Sequence, residues 1–266
     1  MNYHGDLSKM RVTGETPVRY YLSLSNGEVD MNELIDHKIR IKFTGIIHCV
    51  SCGKVTKKAF GQGFCYPCFI KSPLNSECIV RPELCQAHLG NGRDPEWEKE
   101  HHFQPHIVYL ALTSGVKVGV TRVEQIPGRW IDQGAWKAIT IAKTPYRQPA
   151  GQIEVLLKDH FTDKTSWQKM LKNESAVDID LQKEKNRAQD LITNELKEFV
   201  SRGNQPIHEF TYPVNKYPVK IQSMSPEKNP VIESVLTGIR GQYLFFDNQY
   251  VINIRNSSGY EIEFSA

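Results

Sequence analysis

Two pairs of cysteines are the strongest chemical signal in this sequence. Cys49 and Cys52 form one Cys-x-x-Cys pair, and Cys65 and Cys68 form a second pair after twelve intervening residues. In such a pair two thiolates can reach one ion while backbone N–H groups turn toward the sulfur atoms. Two pairs complete a closed tetrahedral site that suits Zn²⁺, so we predict a structural zinc without an open position for activating water. The alternatives are a redox-active pair or free thiols.

A second set of potential ligands follows at less regular spacing. Cys78, Cys85 and His88 are separated by six and by two residues, and further histidines occur downstream. A second zinc ion bound by these three residues and one later histidine is chemically reasonable. We favour one of the adjacent pair His101-His102 as the fourth ligand, because His106 adjoins a predicted strand. The alternative is a connecting segment with two buried cysteines and surface histidines.

The segment after these ligands has the pattern of a small α/β unit. Apolar runs over Ile107–Leu112 and Val116–Thr121 flank the polar, glycine-containing link Thr113–Gly115, which predicts a β-hairpin. The spacing of later apolar residues predicts a short helix, a strand and a longer helix. The ranges predicted for these three elements are Arg129–Ala138, Ala138–Lys143 and Gln148–His160.

The motifs carried by these elements resemble those of the GIY-YIG nucleases. The blocks Val108-Tyr109-Leu110 and Lys117-Val118-Gly119-Val120-Thr121 lie on the hairpin, and Arg129 and Glu154 lie on the two helices. The resemblance covers about a quarter of the chain. It implies a three-stranded sheet with flanking helices, a phosphodiester substrate and a divalent metal ion held by the glutamate.

That resemblance implies a role for each of four residues. Tyr109 would position or deprotonate an attacking water, Arg129 would bind the scissile phosphate, and Glu154 would hold Mg²⁺ or Mn²⁺. Lys117 stands where the second motif carries a tyrosine, and its ammonium could bind phosphate. If both tyrosines are essential, the fold would bind nucleic acid without cutting it. Without these roles, Tyr109 would be an ordinary strand aromatic, Arg129 a surface charge, and Glu154 the polar edge of an amphipathic helix.

The chain as a whole, with its cysteine pairs ahead of this core, also resembles an uncharacterised family of bacterial and archaeal proteins with a domain of unknown function. This second resemblance covers most of the chain and implies no activity. The functional hypothesis therefore depends on the first resemblance and on the chemistry of the residues.

The distribution of charge, more than its sum, favours a nucleic-acid partner. The net charge of +3 is too small to identify such a partner by itself. From Lys117 to Lys172 there are ten lysines and arginines against five acidic residues, whereas Glu174–Glu198 has four against seven. The basic residues thus lie on the nuclease-like core, where a phosphate backbone requires them. Within that core, Arg122, Lys143 and Arg147 are the predicted contacts to DNA or RNA.

The composition also indicates the cellular environment that we expect. The first residues lack an apolar signal run, and no stretch approaches the roughly 18 apolar residues of a membrane span. We therefore expect a soluble, cytoplasmic protein without a membrane partner. In that compartment six cysteines point to metal binding and not to disulfides.

The predicted fold is α+β and has four segments. At 266 residues, of which 39% are hydrophobic, the chain is long enough for two or three small domains. The N-terminal strands are too few to form a sheet of their own, so they could complete the C-terminal one. The segments are a β segment at 1–46, a zinc-binding region with a zinc ribbon at 47–104, the GIY-YIG-like core with a helical extension at 105–203, and a small β domain at 204–266.

These features lead to three functional hypotheses. The first is a zinc-containing nucleic-acid-binding protein whose GIY-YIG-like core is a divalent-metal-dependent endonuclease. The second is a catalytically inactive nucleic-acid-binding module, and the third is a structural or interaction protein in which zinc serves only folding. Binding and cleavage measured on the same substrates would distinguish the three.

Overall fold

The part of the chain that the structure describes is α+β, as the sequence predicts, and it has three sheets and short helices. The structure, a computed structural model, describes residues 1–161, 165–174 and 179–266. None of the helices it describes is long and apolar enough to cross a membrane. The strands, numbered in chain order, are β1 (Asn2–Asp6), β2 (Arg11–Thr13), β3 (Arg19–Leu24), β4 (Gly27–Asp30), β5 (Lys38–Ile47), β6 (His106–Leu112), β7 (Val116–Arg122), β8 (Lys137–Thr144), β9 (His208–Glu209), β10 (Gln222–Met224), β11 (Val231–Arg240), β12 (Tyr243–Phe246), β13 (Tyr250–Asn253) and β14 (Tyr260–Ser265).

The helices are short and lie mainly in the middle of the chain. They are α1 (Tyr66–Lys71), α2 (Glu77–Val80), α3 (Pro95–His102), α4 (Gly128–Asp132), α5 (Arg147–Leu157), α6 (Trp167–Leu171) and α7 (Leu181–Leu191). The sequence predicts one helix over Leu181–Val200, but α7 ends at Leu191 and a 3₁₀ helix, Asn194–Phe199, follows. The helix is interrupted because Ile192 adopts extended backbone and buries its side chain in the core.

The chain folds into two compact units that are discontinuous in sequence. Unit 1 contains Met1–Ile70, Leu171–Asn173 and Thr211–Ala266, and unit 2 contains Lys71–Met170 and Glu174–Phe210. The first and last of the four predicted segments therefore contribute to one unit. The predicted zinc-binding segment is divided between the two units, with the paired cysteines in unit 1 and the later cysteines in unit 2.

Unit 1 is built on a seven-stranded sheet in the order β1-β14-β5-β11-β12-β13-β10. Residue alternation explains the place of β5, since Ile39 and Ile41 are buried while Arg40 and Lys42 lie on the more exposed face. β5 pairs with β14 on one side and with β11 on the other, and β1 pairs with β14. The N-terminal strands β1 and β5 thus complete the C-terminal sheet. The remaining N-terminal strands form a separate sheet in the order β2-β3-β4.

Unit 2 is built on an antiparallel sheet in the order β7-β6-β8-β9. Its first three strands and helices α4 and α5 follow the predicted order of hairpin, helix, strand and helix. β6 is buried along its whole length because both of its faces are covered. On one face, Val108 and Leu110 pack in a core with Ala150 and Ile153 of α5. On the other face, the ring of Tyr109 makes a T-shaped contact with the ring of Trp130 from α4.

Candidate functional site

The four paired cysteines come together in unit 1. The sulfur atoms of Cys49, Cys52, Cys65 and Cys68 all lie within 4.8 Å of one another. The sulfurs of Cys52 and Cys65 are 3.9 Å apart. A tetrahedral zinc with bonds of about 2.3 Å would hold its sulfurs roughly 3.8 Å apart, so this separation fits. The group could therefore bind a metal such as zinc, as the cysteine spacing predicts.

Backbone N–H groups favour thiolates in this cluster. The Cys65 N–H donates to Cys49 Sγ at 3.2 Å. Burial opposes ionisation of Cys49, but the N–H groups of Cys65, Cys52 and Ser51 lower its pKa to about 6. The neighbouring Cys65 sulfur, together with burial, raises the pKa of Cys68 to about 12. Four thiolates at these distances need a cation to offset their repulsion, and a divalent metal would supply it.

Cys78, Cys85 and His102 form a second group in unit 2, and all three are buried. Their ligand atoms lie within 4.8 Å of one another, with Cys78 Sγ 3.7 Å from His102 Nδ1. Hydrogen bonding from the Cys78 thiol lowers the pKa of Cys85 to about 4; burial opposes this shift and His102 supports it. His101, the other member of the adjacent histidine pair, stacks on Trp97. The donors of this group are those that zinc accepts.

His88, a predicted ligand of the second site, lies outside this group of three. Its ring stacks on Tyr146 with centroids 4.7 Å apart, on the 3₁₀ turn Ala87–Leu89 that follows Cys85. Its Nδ1 atom is buried and has no hydrogen-bond partner among the described residues. A buried nitrogen without a partner fits a metal ligand. Because the structure does not bring this atom within 4.8 Å of all three others, its ligand role stays a prediction.

The second group is linked to helix α5, which carries Glu154. Arg147 begins α5, and its Nε and Nη2 atoms donate to the carbonyl oxygens of Cys78 and Ile79, both at 3.0 Å. Backbone carbonyls therefore already occupy two of its donors. In this structure the guanidinium holds α5 against the segment that contains the second group, and the phosphate contact of Arg147 stays a prediction.

Gly151 allows α5 to lie directly against the 3₁₀ turn Pro82–Leu84. A Cβ atom at Gly151 would lie 2.1 Å from the backbone nitrogen of Glu83. We expect Gly151→Ala to lower the free energy of unfolding by about 1–3 kcal/mol through overpacking, although alanine gains about 1 kcal/mol in helix propensity. Denaturant unfolding measures this change. Gln152→Ala, at the exposed neighbouring position, is the control, and equal stability of the two variants would contradict the close packing.

Tyr109 lies across Gly119 of the neighbouring strand. The two residues are register partners in β6 and β7, and a Cβ atom at Gly119 would lie 2.6 Å from Tyr109 Oη. The glycine therefore makes room for the phenol. Gln133 Nε2 donates to Tyr109 Oη at 2.7 Å. Sequence reasoning missed Gln133, although it follows Arg129 by four residues, the spacing that places two side chains on one side of a helix.

Arg129 and Glu154 both act on this phenol. Burial is the main cause that raises the pKa of Tyr109, and the Glu154 carboxylate raises it further, while Arg129 and Gln133 oppose the shift. The three predicted residues Tyr109, Arg129 and Glu154 thus lie close enough to influence one ionisation. Because the pKa is raised, the phenol is protonated at neutral pH and does not act as a base in this arrangement.

Glu154 and Lys117 are both largely enclosed. The Glu154 side chain is 12% exposed, and its Oε2 lies 3.8 Å from the Nζ of Lys158 one helical turn later. Lys117 is 8% exposed and lies opposite Ala111, two residues along β7 from Gly119. Since alternate residues of a strand share a face, Lys117 lies on the same face of the sheet as Tyr109.

Arg122 and Lys143 mark one end of this sheet. Their register partners in β6 are His106 and Ile107. Arg122 pairs with Glu124 at 3.2 Å, which partly neutralises it, whereas Lys143 is exposed. Of the three predicted phosphate contacts, Lys143 is therefore the most accessible.

His106, at the same end of the sheet, is a buried neutral histidine. Its Nδ1 lies 2.7 Å from the carbonyl oxygen of Gln104, so this nitrogen donates, and its Nε2 has no partner among the described residues. Burial lowers the pKa of His106 to about 3 even though that hydrogen bond opposes the shift. The lone pair on Nε2 of His106 therefore has no hydrogen-bond donor among the described residues. The sequence analysis assigns this histidine no role.

Comparison with known proteins places the chain in a family without assigning it an activity. The model of a family described as a protein of unknown function, DUF2797, matches residues 36–262. No curated protein and no solved structure gave a significant match to the chain. Because the matched segment spans most of the sequence, the chain belongs to the DUF2797 family of proteins of unknown function.

Proposed function

We propose that unit 2 binds nucleic acid and hydrolyses a phosphodiester bond with the help of a divalent metal ion. One observation carries the proposal: Tyr109, Arg129 and Glu154 come from a strand and two different helices, yet act on one ionisation beside Gly119. These residue types, on this order of elements, are the ones that a GIY-YIG-like core would use. We therefore propose that the sheet of unit 2, with helices α4 and α5, is related to the core of the GIY-YIG nucleases.

The three side chains would divide the chemistry of hydrolysis. The Arg129 guanidinium would bind phosphate oxygens and offset charge in the transition state. Tyr109, kept protonated by burial, would donate a hydrogen bond to a phosphate oxygen or to the attacking water. Glu154 would hold Mg²⁺ or Mn²⁺, and a single carboxylate ligand fits Mg²⁺, which keeps several of its water ligands. When bound, the ion would offset negative charge on the phosphate.

A second candidate function is nucleic-acid binding without cleavage, and the burial of Tyr109 favours it. Its side chain is enclosed and its pKa is raised, whereas a group that activates water must reach that water. Lys117 at the place of the second tyrosine favours it too, since an ammonium binds phosphate but is a poor base unless its pKa is depressed. The catalytic proposal therefore requires the sheet to open at Tyr109 when nucleic acid binds.

We also propose Zn²⁺ as the ion of both thiol-containing groups. In unit 1, four thiolates of a zinc ribbon would close the coordination sphere and hold structure only. In unit 2, Cys78, Cys85 and His102, with His88 as the proposed fourth ligand, would fix the segment that Arg147 joins to α5. Both ions would support the fold and would not activate water.

The experiment that tests the proposal measures binding and cleavage in the same samples. Purified protein is mixed with single-stranded and double-stranded DNA and RNA, with Mg²⁺, with Mn²⁺ or with neither. Binding with metal-dependent cleavage supports the nuclease, and binding without cleavage supports the second candidate. Absence of both would leave a structural or interaction protein and contradict the two proposals.

Nucleic-acid binding should weaken steeply as salt rises, because lysine and arginine contacts release counterions from the phosphates. Lys143 is an exposed cation at the end of the sheet. We expect Lys143→Ala to reduce the slope of log affinity against log salt by about 1. Fluorescence anisotropy over a range of salt concentrations measures this slope. Lys183→Ala, an exposed position on α7, is the control, and equal slopes for both variants would remove Lys143 from the interface.

A further inference from the structure

We propose that Asp6, His48 and Glu261 form an additional site for a divalent first-row metal ion such as Mn²⁺, Fe²⁺ or Zn²⁺. One ligand atom from each of the three side chains lies within 4.8 Å of the others. The donors are two carboxylates and an imidazole, which differ from the thiolates of the other groups and suit harder ions. The proposal concerns unit 1 and does not depend on the function proposed for unit 2.

The sheet of unit 1 brings these residues together from distant parts of the sequence. Asp6 at the end of β1 is the register partner of Glu261 in β14, and His48 follows β5 directly. Tyr260 pairs with Ile47 of β5, but Ile262 pairs with Phe43, so β5 contains a bulge. Bulges re-aim side chains and occur often beside functional sites.

The bulged segment also supplies a group that orients the carboxylate of Glu261. Thr44 lies within the bulge, and its Oγ1 donates to Glu261 Oε1 at 2.9 Å. Carboxylates that bind metals are commonly held in this way by a second hydrogen bond. The bulge therefore has a direct effect on the proposed ligand.

The register places two carboxylates directly opposite each other. Like charges at opposed positions of an antiparallel pair destabilise it, so the pair of Asp6 and Glu261 needs compensation. Histidine nitrogens approach both groups: His48 Nδ1 is 2.7 Å from Asp6 Oδ1, and His4 Nε2 is 3.4 Å from Glu261 Oε1. An imidazole, unlike an ammonium, also offers a lone pair to a metal ion.

Glu263, two residues further along β14, is an acid of the same strand that is neutralised in a different way. It lies on the same face of the sheet, and its carboxylate pairs with the Lys42 ammonium at 3.0 Å. An ion pair of that kind neutralises a carboxylate without any metal. The arrangement at Glu261, where imidazoles and a hydroxyl surround two acids, is the one that a metal ion would complete.

The site is accessible to solvent, and its protein ligands would not fill all the coordination positions of a metal ion. The side chains of Asp6, His48 and Glu261 are 31%, 27% and 18% exposed. Bonds of about 2.0–2.2 Å from one ion to oxygen and nitrogen require ligand atoms roughly 3–4 Å apart, which the cluster provides with small adjustments. Three ligands, or four with His4, leave positions for water. We therefore expect an exchangeable ion, in contrast to the closed thiolate site.

The test uses the full-length protein with its zinc retained and with Glu154→Gln as the background, so that no second carboxylate site contributes. Mn²⁺ is titrated, and the free ion is followed by electron paramagnetic resonance; Mn²⁺ is a hard ion that leaves thiolate sites undisturbed. We expect Glu261→Gln to weaken Mn²⁺ binding at least tenfold and Asp6→Asn to do the same. Glu263→Gln, the matched control on the same strand, should change the affinity by less than twofold.

Zn²⁺ or anaerobic Fe²⁺ should displace Mn²⁺ from the protein that retains Glu261, and the concentration of each ion that is needed ranks the ions. In Glu261→Gln, where Mn²⁺ binds at least tenfold more weakly, the same additions should release correspondingly less Mn²⁺. Thermal unfolding of each variant establishes that the sheet is intact. Equal weakening by Glu261→Gln and Glu263→Gln would show a general effect of surface charge and overturn the proposal. The same conclusion would follow if folded Glu261→Gln and Asp6→Asn bound Mn²⁺ as tightly as the parent.

Discussion

Replacing Glu154 with glutamine is expected to reduce phosphodiester cleavage by orders of magnitude while folding and metal-free nucleic-acid binding persist. The change keeps the shape of the side chain but removes the charge that a divalent ion needs. It also removes the negative charge that raises the pKa of Tyr109 and leaves Arg129 in place. Single-turnover cleavage with Mg²⁺ or Mn²⁺ measures the first effect, and anisotropy without metal measures the second.

The control for this experiment is Glu184→Gln, which alters an acid of α7 that pairs with Arg187. It should leave cleavage unchanged. If unit 2 only binds nucleic acid, Glu154→Gln should leave the affinity equal or slightly higher, because a negative charge facing phosphate is gone. Cleavage that survives intact in the Glu154→Gln protein would refute the catalytic role assigned to this residue.

Loss of the metal from the paired cysteines is expected to have the largest effect on stability. Cys52→Ser should remove about one zinc ion per chain and unfold much of unit 1, because binding of a structural zinc, worth roughly 10–16 kcal/mol in zinc-finger peptides, is coupled to folding. Elemental analysis gives the stoichiometry, and denaturant unfolding gives the stability. Cys85→Ser is the comparison, since it should remove a different ion, the one in unit 2.

Two results would contradict these assignments. Protein purified without chelator and free of zinc would eliminate both thiol-containing centres. Loss of the same single ion in Cys52→Ser and Cys85→Ser would contradict the separation of the two groups, which share no residue and lie in different units.

The cysteine site and the hairpin could be predicted from the sequence because their signals are local. Each Cys-x-x-Cys pair brings two sulfurs together within one turn, whatever surrounds it. Alternation over Ile107–Leu112 and Val116–Thr121 likewise specifies two strands and a turn, and the structure has them as β6 and β7. Such patterns identify a strand, but they do not show that β6 is covered on both faces, so the burial of Tyr109 was not predicted.

The packing contacts of α5 could not be predicted, because they join segments that are distant in sequence. Arg147 looks like a free cation until Cys78 and Ile79 place their carbonyl oxygens against it. Gly151 looks like a weak point in a helix until the backbone at Glu83 is seen to occupy the space of its Cβ. The pairing of Asp6 with Glu261 depends in the same way on the register between β1 and β14, the first and last strands of the chain.

The central place of β5 has a consequence for synthesis of the protein. Both partners of β5, β11 and β14, belong to the last part of the chain, and in the sequence the residues of unit 2 come after β5 and before these partners. On the ribosome β5 therefore emerges long before its partners. Until β11 and β14 are synthesised, the backbone N–H and C=O groups along both of its edges are unpaired and can pair with other chains. Arg40 and Lys42 on its exposed face oppose such pairing. We expect unit 2 to fold first and nascent chains to aggregate through β5 when translation pauses before β11 and β14 are synthesised.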